Sequence, residues 1–299
     1  MNPYQQLFSG IKLRWLIPLQ WIVVIVISFL ISITVDSLPA GFMPPESQYL
    51  FKALESVSGQ LIFILLLWRM FKAKGFGLNM FWQKPVSAQS WYWLLLLFVP
   101  LKLSAMSLNL LISYFIESFN YLPFQEASDI NPLGMWIIVP WKSYWYLAYN
   151  ALSVFNLVLL TPFAEELFFR GIVLHRLSLK YGDYKGLWFS SLLFGAMHLH
   201  GFLHATLVGF VLGFVYLQTR NLKVSIYWHI LHNAVAILIA MFASDPSILD
   251  QFWIEEAFYA MGLGLFGGFL MFLPTGIRWV RQQRITYTSP LFQNQSIDH

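Results

Sequence analysis

Long apolar runs follow one another along this chain, and they decide what it can fold into. A helix that crosses a bilayer needs about 20 mostly apolar residues. Runs that meet or approach that length cover residues 15–35, 50–68, 91–116, 144–162, 186–198, 203–218, 225–242 and 253–273. In lipid, such segments satisfy their own backbone hydrogen bonds as helices. The expected fold is therefore all-α, a polytopic transmembrane helical bundle of about eight helices. Two runs, 186–198 and 203–218, are short for a full crossing, and the His-rich stretch from His198 to His204 joins them. A helix that stops early inside a membrane protein is tolerated where it lines a wet cavity.

Charge is scarce: 11% of the 299 residues are charged, against about 25% in a soluble domain. The 13 Trp and 28 Phe suit bilayer interfaces and helix packing. A net charge of +4 does not point to nucleic acid, so the expected partners are the lipid bilayer and whatever substrate the chain binds. With no Cys, disulfides, thiolate metal sites and a cysteine nucleophile are excluded. No small-residue cleavage site follows the first apolar run, so it reads as an uncleaved helix and not a signal peptide.

Basic residues gather on alternate loops. One side holds Lys12 and Arg14, then Arg69, Lys72, Lys74 and Lys84, then Arg176, Lys180 and Lys185, then Arg220 and Lys223, and last Arg278, Arg281 and Arg284. The other holds Asp36 and Glu46, then Glu117, Glu126 and Asp129, then Asp245 and Asp250. The positive-inside rule then puts both termini in the cytoplasm, with the plasma membrane as the expected location. The chain divides into N-terminal membrane helices (1–143), a core (144–242), and a last helix with a polar tail (243–299). Gly209 with Gly213, and Gly264 with Gly268, have the spacing that lets helices approach closely, and packing is the expected use.

Three segments carry polar groups where lipid would be expected. The first is Thr161-Pro-Phe-Ala-Glu-Glu-Leu-Phe-Phe-Arg170. Each charge at membrane depth costs about 2.5–3.5 kcal/mol on insertion scales. Glu166 and Arg170 are four apart and share a face, so they can pair. Glu165 lies about 100° around the helix, is less well placed for Arg170, and suits a general base. An interfacial acidic pair is the plainer reading, and it is the one Glu255 and Glu256 receive at the start of their helix. The second segment is Phe194-Gly-Ala-Met-His198, followed by His200 and His204. His200 and His204 have a spacing that a metal pair uses, but a turn makes both interfacial. The third is His229-Ile-Leu-His-Asn233, where His229 and Asn233 face one way and helix–helix hydrogen bonding is the plain alternative. Together they hold the inventory for activating a water and stabilising an oxyanion.

Other intramembrane protease sites do not fit. The chain lacks a Gly-x-Ser-Gly run and a His-Glu-x-x-His run, and its nearest approach to Gly-x-Gly-Asp is Tyr181-Gly-Asp183 in a polar loop. The order Glu-Glu-x-x-x-Arg, Phe-x-x-x-His, His-x-x-x-Asn is present as Glu165-Glu166…Arg170, Phe194…His198 and His229…Asn233. This resembles the family of type II CAAX prenyl endopeptidases and bacteriocin-processing membrane proteases, over residues 144–242. His232 is an addition to that pattern. The resemblance implies an intramembrane endopeptidase acting on a membrane-associated or lipid-modified protein or peptide. In it Glu165 activates water, His198 positions the water or the scissile carbonyl, and His229 with Asn233 stabilises the oxyanion. Glu166, Arg170 and Phe194 support them. Zinc held by Glu165, His198 and His229 is one form of such a site. A metal-free glutamate site is the other, and the Asn beside His229 favours it. A non-hydrolytic transporter or immunity-type binder on the same fold is the alternative function. One geometric demand remains. His198 comes about 20 Å of helical rise after Lys185, so it meets Glu165 and His229 only if its helix is tilted, short or starts deep.

Overall fold

The computed structural model describes residues 8–36, 44, 47–75, 77, 81, 144–198 and 201–243. The expected runs 91–116 and 253–273 lie outside the described residues, as do His200, Glu255, Glu256 and the tail. Every long element among the described residues is helical. We number the α-helices α1 (Leu13–Asp36), α2 (Ser47–Ala73), α3 (Tyr144–Phe155), α4 (Thr161–Phe168), α5 (Leu174–Tyr181), α6 (Asp183–Ala196), α7 (Phe202–Thr219) and α8 (Leu222–Ala243). Two of them, α2 and α7, are long and apolar enough to cross a membrane. The outer faces of α1 and α2 expose Ile22, Ile25, Phe29, Leu30, Leu61 and Leu65, a band of apolar surface of the kind that a partner or lipid covers.

The core of the molecule is one helical path with two wide turns in it. A π-helical turn, Asn156–Leu160, joins α3 to α4, and a second, Phe169–Val173, joins α4 to α5. Residues at these junctions keep right-handed helical angles, so the path runs unbroken from Tyr144 to Tyr181. Pro162 sets the first wide turn. It has no N–H to give to the carbonyl a turn earlier, and the N–H of Thr161 reaches back five residues to the Asn156 carbonyl. The loop expected to carry Arg176, Lys180 and Lys185 is helical up to Tyr181, where Leu174, His175 and Ser178 lie on one face and are buried. Gly182 ends the path at φ +82°, a backbone angle that glycine adopts without steric cost.

From there the chain folds back in two tight hairpins. In the first, α6 and α7 run antiparallel in close contact: a Cβ on Gly195 would meet Thr206 Oγ1 at 2.0 Å, and one on Gly213 would meet Leu187 Cδ1 at 2.5 Å. The expected packing use of Gly213 is thus met inside the chain. Arg220, at φ 53°, closes α7, and Asn221 caps α8 by accepting the Lys223 N–H at 3.0 Å. Ser225 Oγ donates to the Leu212 carbonyl at 2.8 Å and fixes α8 against α7. On the far side Phe63 of α2 packs edge-on against Phe168 of α4, centroids 5.4 Å apart. Phe8 stacks on His175 at 4.5 Å, and Arg176 Nε donates to the Ile11 carbonyl at 3.0 Å, tying the N-terminal segment to α5.

Candidate active site

Glu166 and Arg170 form the floor of the site. Arg170 Nη1 donates to Glu166 Oε1 at 2.7 Å, and both side chains are buried. The expected i,i+4 pair is formed, even though Arg170 sits in the second wide turn. Its other arm, Nη2, donates to the Gly209 carbonyl of α7 at 2.8 Å. Residue 209 is a glycine packed closely on Phe194, where a Cβ would stand 3.2 Å from the ring and Cβ. The guanidinium also lies over the Phe194 ring, 4.9 Å from its centroid, a favourable cation–π placement.

Glu166 has a second guest that spacing along one helix does not reveal. His229 Nδ1 lies 2.9 Å from the same Oε1 that holds Arg170. A carboxylate held by Arg170 accepts, so the proton belongs on His229 Nδ1. His229 Nε2 then faces Glu165, 3.7 Å from Oε2. His198 repeats the pattern. Its Nδ1 lies 2.8 Å from the Phe194 carbonyl, which accepts only, so the proton again sits on Nδ1. Its Nε2 lies 3.7 Å from Glu165 Oε1. The two imidazoles therefore turn their Nε2 atoms to the two oxygens of one carboxylate. Neither contact is a direct hydrogen bond, since 3.7 Å is too long. Gaps of that size between polar groups are where bridging water or a cation sits.

Glu165, His198 and His229 thus come together in space. The demand on His198 is met: α6 ends at Ala196, and His198 follows in the turn with Nε2 beside Glu165. The Glu165 side chain is 12% exposed and His198 39%, whereas that of His229 is 5%. The cluster has a closed wall of Glu166, Arg170 and His229 and an open side at His198. Phe194 is the hub of that wall, with ring centroids 4.6 Å from His198, 5.9 Å from His229 and 4.9 Å from Phe169.

Asn233 goes elsewhere. Its Nδ2 donates to the Leu157 carbonyl at 2.7 Å. In a regular helix that carbonyl would take the Thr161 N–H, which here goes to Asn156, or in a wide turn the N–H that Pro162 lacks. Asn233 supplies the missing donor and holds α8 to the first wide turn. An NH2 group has two hydrogens, so one N–H of Asn233 remains for another acceptor. His204, expected to be interfacial, faces His232 of α8, Nε2 to Nε2 at 3.3 Å. Among the described residues no group of three or more His, Asp or Glu side chains is closed to metal-ligand geometry. Glu165, His198 and His229 are nevertheless the right donor types for a metal.

Residues 147–235 match the family model described as Type II CAAX prenyl endopeptidase Rce1-like. The chain is also similar to the uncharacterized protein YpbD of Bacillus subtilis (strain 168), 36% identical over 85 residues, which are 26% of this chain and 41% of that protein. The chain therefore matches less than half the length of that relative. No solved structure matches it.

Proposed function

We propose, from the match of residues 147–235 to the Rce1-like family model, that this chain is an integral membrane endopeptidase that hydrolyses a peptide bond with water activated by Glu165. The observation that carries the reading is one carboxylate faced by two imidazole Nε2 atoms at 3.7 Å each. In the proposed reaction a water spans Glu165 and His198. It donates one hydrogen to each and turns a lone pair to the scissile carbonyl. As the C–O bond forms, Glu165 takes the proton from that water. The carbonyl oxygen becomes an oxyanion, held by His229 and the second N–H of Asn233. Collapse breaks the C–N bond, and the leaving amine takes the proton from Glu165.

To donate through Nε2 as well as Nδ1, His229 is proposed to enter the reaction with both ring nitrogens protonated, Glu166 accepting the Nδ1 proton at 2.9 Å. Arg170 keeps Glu166 oriented and, through Gly209, keeps α7 beside the site. The substrate is proposed to be a membrane-associated or lipid-modified protein or peptide, since the site opens among apolar helices. The catalytic core is proposed to span 144–242, with both termini in the cytoplasm. A metal-free site is favoured, because an N–H donor such as Asn233 suits an oxyanion better than a cation. Zinc in stoichiometric amount in purified protein, with activity abolished by chelation, would overturn that part.

The second reading is a proton or ion carrier, which buried Glu and His also serve. One preparation separates the two. Purified wild type is offered a membrane-peptide library in detergent and, separately, is placed in liposomes with a pH-sensitive dye. Cleavage without flux is the expected result. Flux that Glu165→Gln abolishes, with no cleavage of any peptide, would replace this reading with the carrier.

A further inference from the structure

His204 and His232 are used by nothing in the proposed reaction, yet the fold brings them together from two helices. His204 stands in the first turn of α7 and His232 in α8, three residues beyond His229. Their ring centroids are 5.4 Å apart at an interplanar angle of 74°, while their Nε2 atoms are only 3.3 Å apart. The rings therefore lean together by their nitrogen edges. Two neutral rings of opposite tautomer can share an N–H···N bond at this distance, and the same edge-on approach suits a cation held between them. Two imidazole ligands on a tetrahedral zinc, with Zn–N bonds of about 2.0–2.1 Å, stand about 3.3–3.4 Å apart. The observed spacing is the edge of that tetrahedron.

We propose that His204 and His232 bind a zinc-type divalent cation, with water in the remaining positions, at a site separate from Glu165. Imidazole nitrogen selects zinc, copper and nickel over magnesium or calcium. Both side chains are partly exposed, so a hydrated ion can reach them. The nitrogens that face Glu165 belong to His198 and His229, not to this pair. A cation here would clamp α7 to α8 next to the site, because α7 offers the carbonyl that holds Arg170 and α8 carries His229. The inference does not rest on the proposed reaction, and its readout is binding.

The full chain, purified in detergent and stripped with a chelator, is titrated with zinc sulfate against a chromophoric chelator. One equivalent should bind saturably and raise the thermal midpoint. His204→Gln and His232→Gln should each weaken binding at least tenfold and lose the thermal shift. Glu165→Gln and His198→Gln should bind as wild type does. No saturable binding by wild type overturns the proposal. So does tight binding by His204→Gln, or a tenfold loss in Glu165→Gln, which would move the ion to the other cluster. If a His204 or His232 variant fails to fold, one zinc retained by both Glu165→Gln and His198→Gln supports the site, and zinc lost from either refutes it.

Discussion

Glu166 Oε1 receives both Arg170 Nη1 and His229 Nδ1, and much of the site's order rests on that one atom. Glu166→Gln keeps the shape but weakens the charge behind His229. It should lower kcat by about ten- to a hundredfold with little change in KM, since general acid–base and oxyanion groups act in the transition state. Steady-state kinetics on a cleavable peptide checks this; a change confined to KM would contradict it. Arg170→Lys tests the floor differently. A lysine lacks the fork that reaches Glu166 and the Gly209 carbonyl together. Breaking a buried pair costs about 3–5 kcal/mol, so a marked fall in thermal midpoint in detergent is expected. The i,i+4 relation of Glu166 and Arg170 was readable from spacing, and so was the different direction of Glu165. His229 on Glu166 was not, because it joins residues 63 apart, and no local period encodes such a contact.

At the scale of elements, glycine and proline decide the geometry. Gly209 lets Phe194 sit against α7, with 3.2 Å between a notional Cβ and that ring. Gly209→Ala should displace Phe194, and with it His198, at a cost of about 1–3 kcal/mol. Thermal unfolding should show the loss, and activity should fall further than stability explains. The pair Gly209 and Gly213 could be read as a packing stripe, but the Arg170 bond to the Gly209 carbonyl could not. The two wide turns were equally hidden: Pro162 announces a disturbed helix, yet only the position of Asn233 tells which carbonyl is left over. In α5, His175 is buried with Nε2 2.7 Å from the Tyr216 hydroxyl. Burial, and then the Arg220 charge, lower its pKa from 6.5 to about 3. A neutral folded ring and a protonatable unfolded one mean that stability is present above about pH 6.5 and is lost as pH falls toward 3. The slope from this residue is at most about 1.4 kcal/mol per pH unit. Thermal midpoints at pH 7 and pH 5 should therefore fall less for His175→Gln than for wild type.

At the largest scale, the succession of apolar runs made the helical character of the described residues legible, and the ends of α7 and α8 fall close to the runs that announced them. The run 186–198 already reads as short, and α6 spans Asp183–Ala196; what the runs could not convey is that His198, in the turn after it, meets Glu165. The order of three short motifs pointed to a family before any distance was known, whereas the second His pair, across α7 and α8, needed coordinates. The central claim is that Glu165 acts as the base for an attacking water. It is tested most directly by single-turnover cleavage of one membrane peptide by wild type, Glu165→Gln and Glu165→Asp, each with its thermal midpoint. The account predicts that Glu165→Gln folds like wild type and loses about a hundredfold or more in rate, as removal of a general base does, while Glu165→Asp keeps part of it. Equal rates for wild type and Glu165→Gln, at equal thermal midpoints, would contradict it.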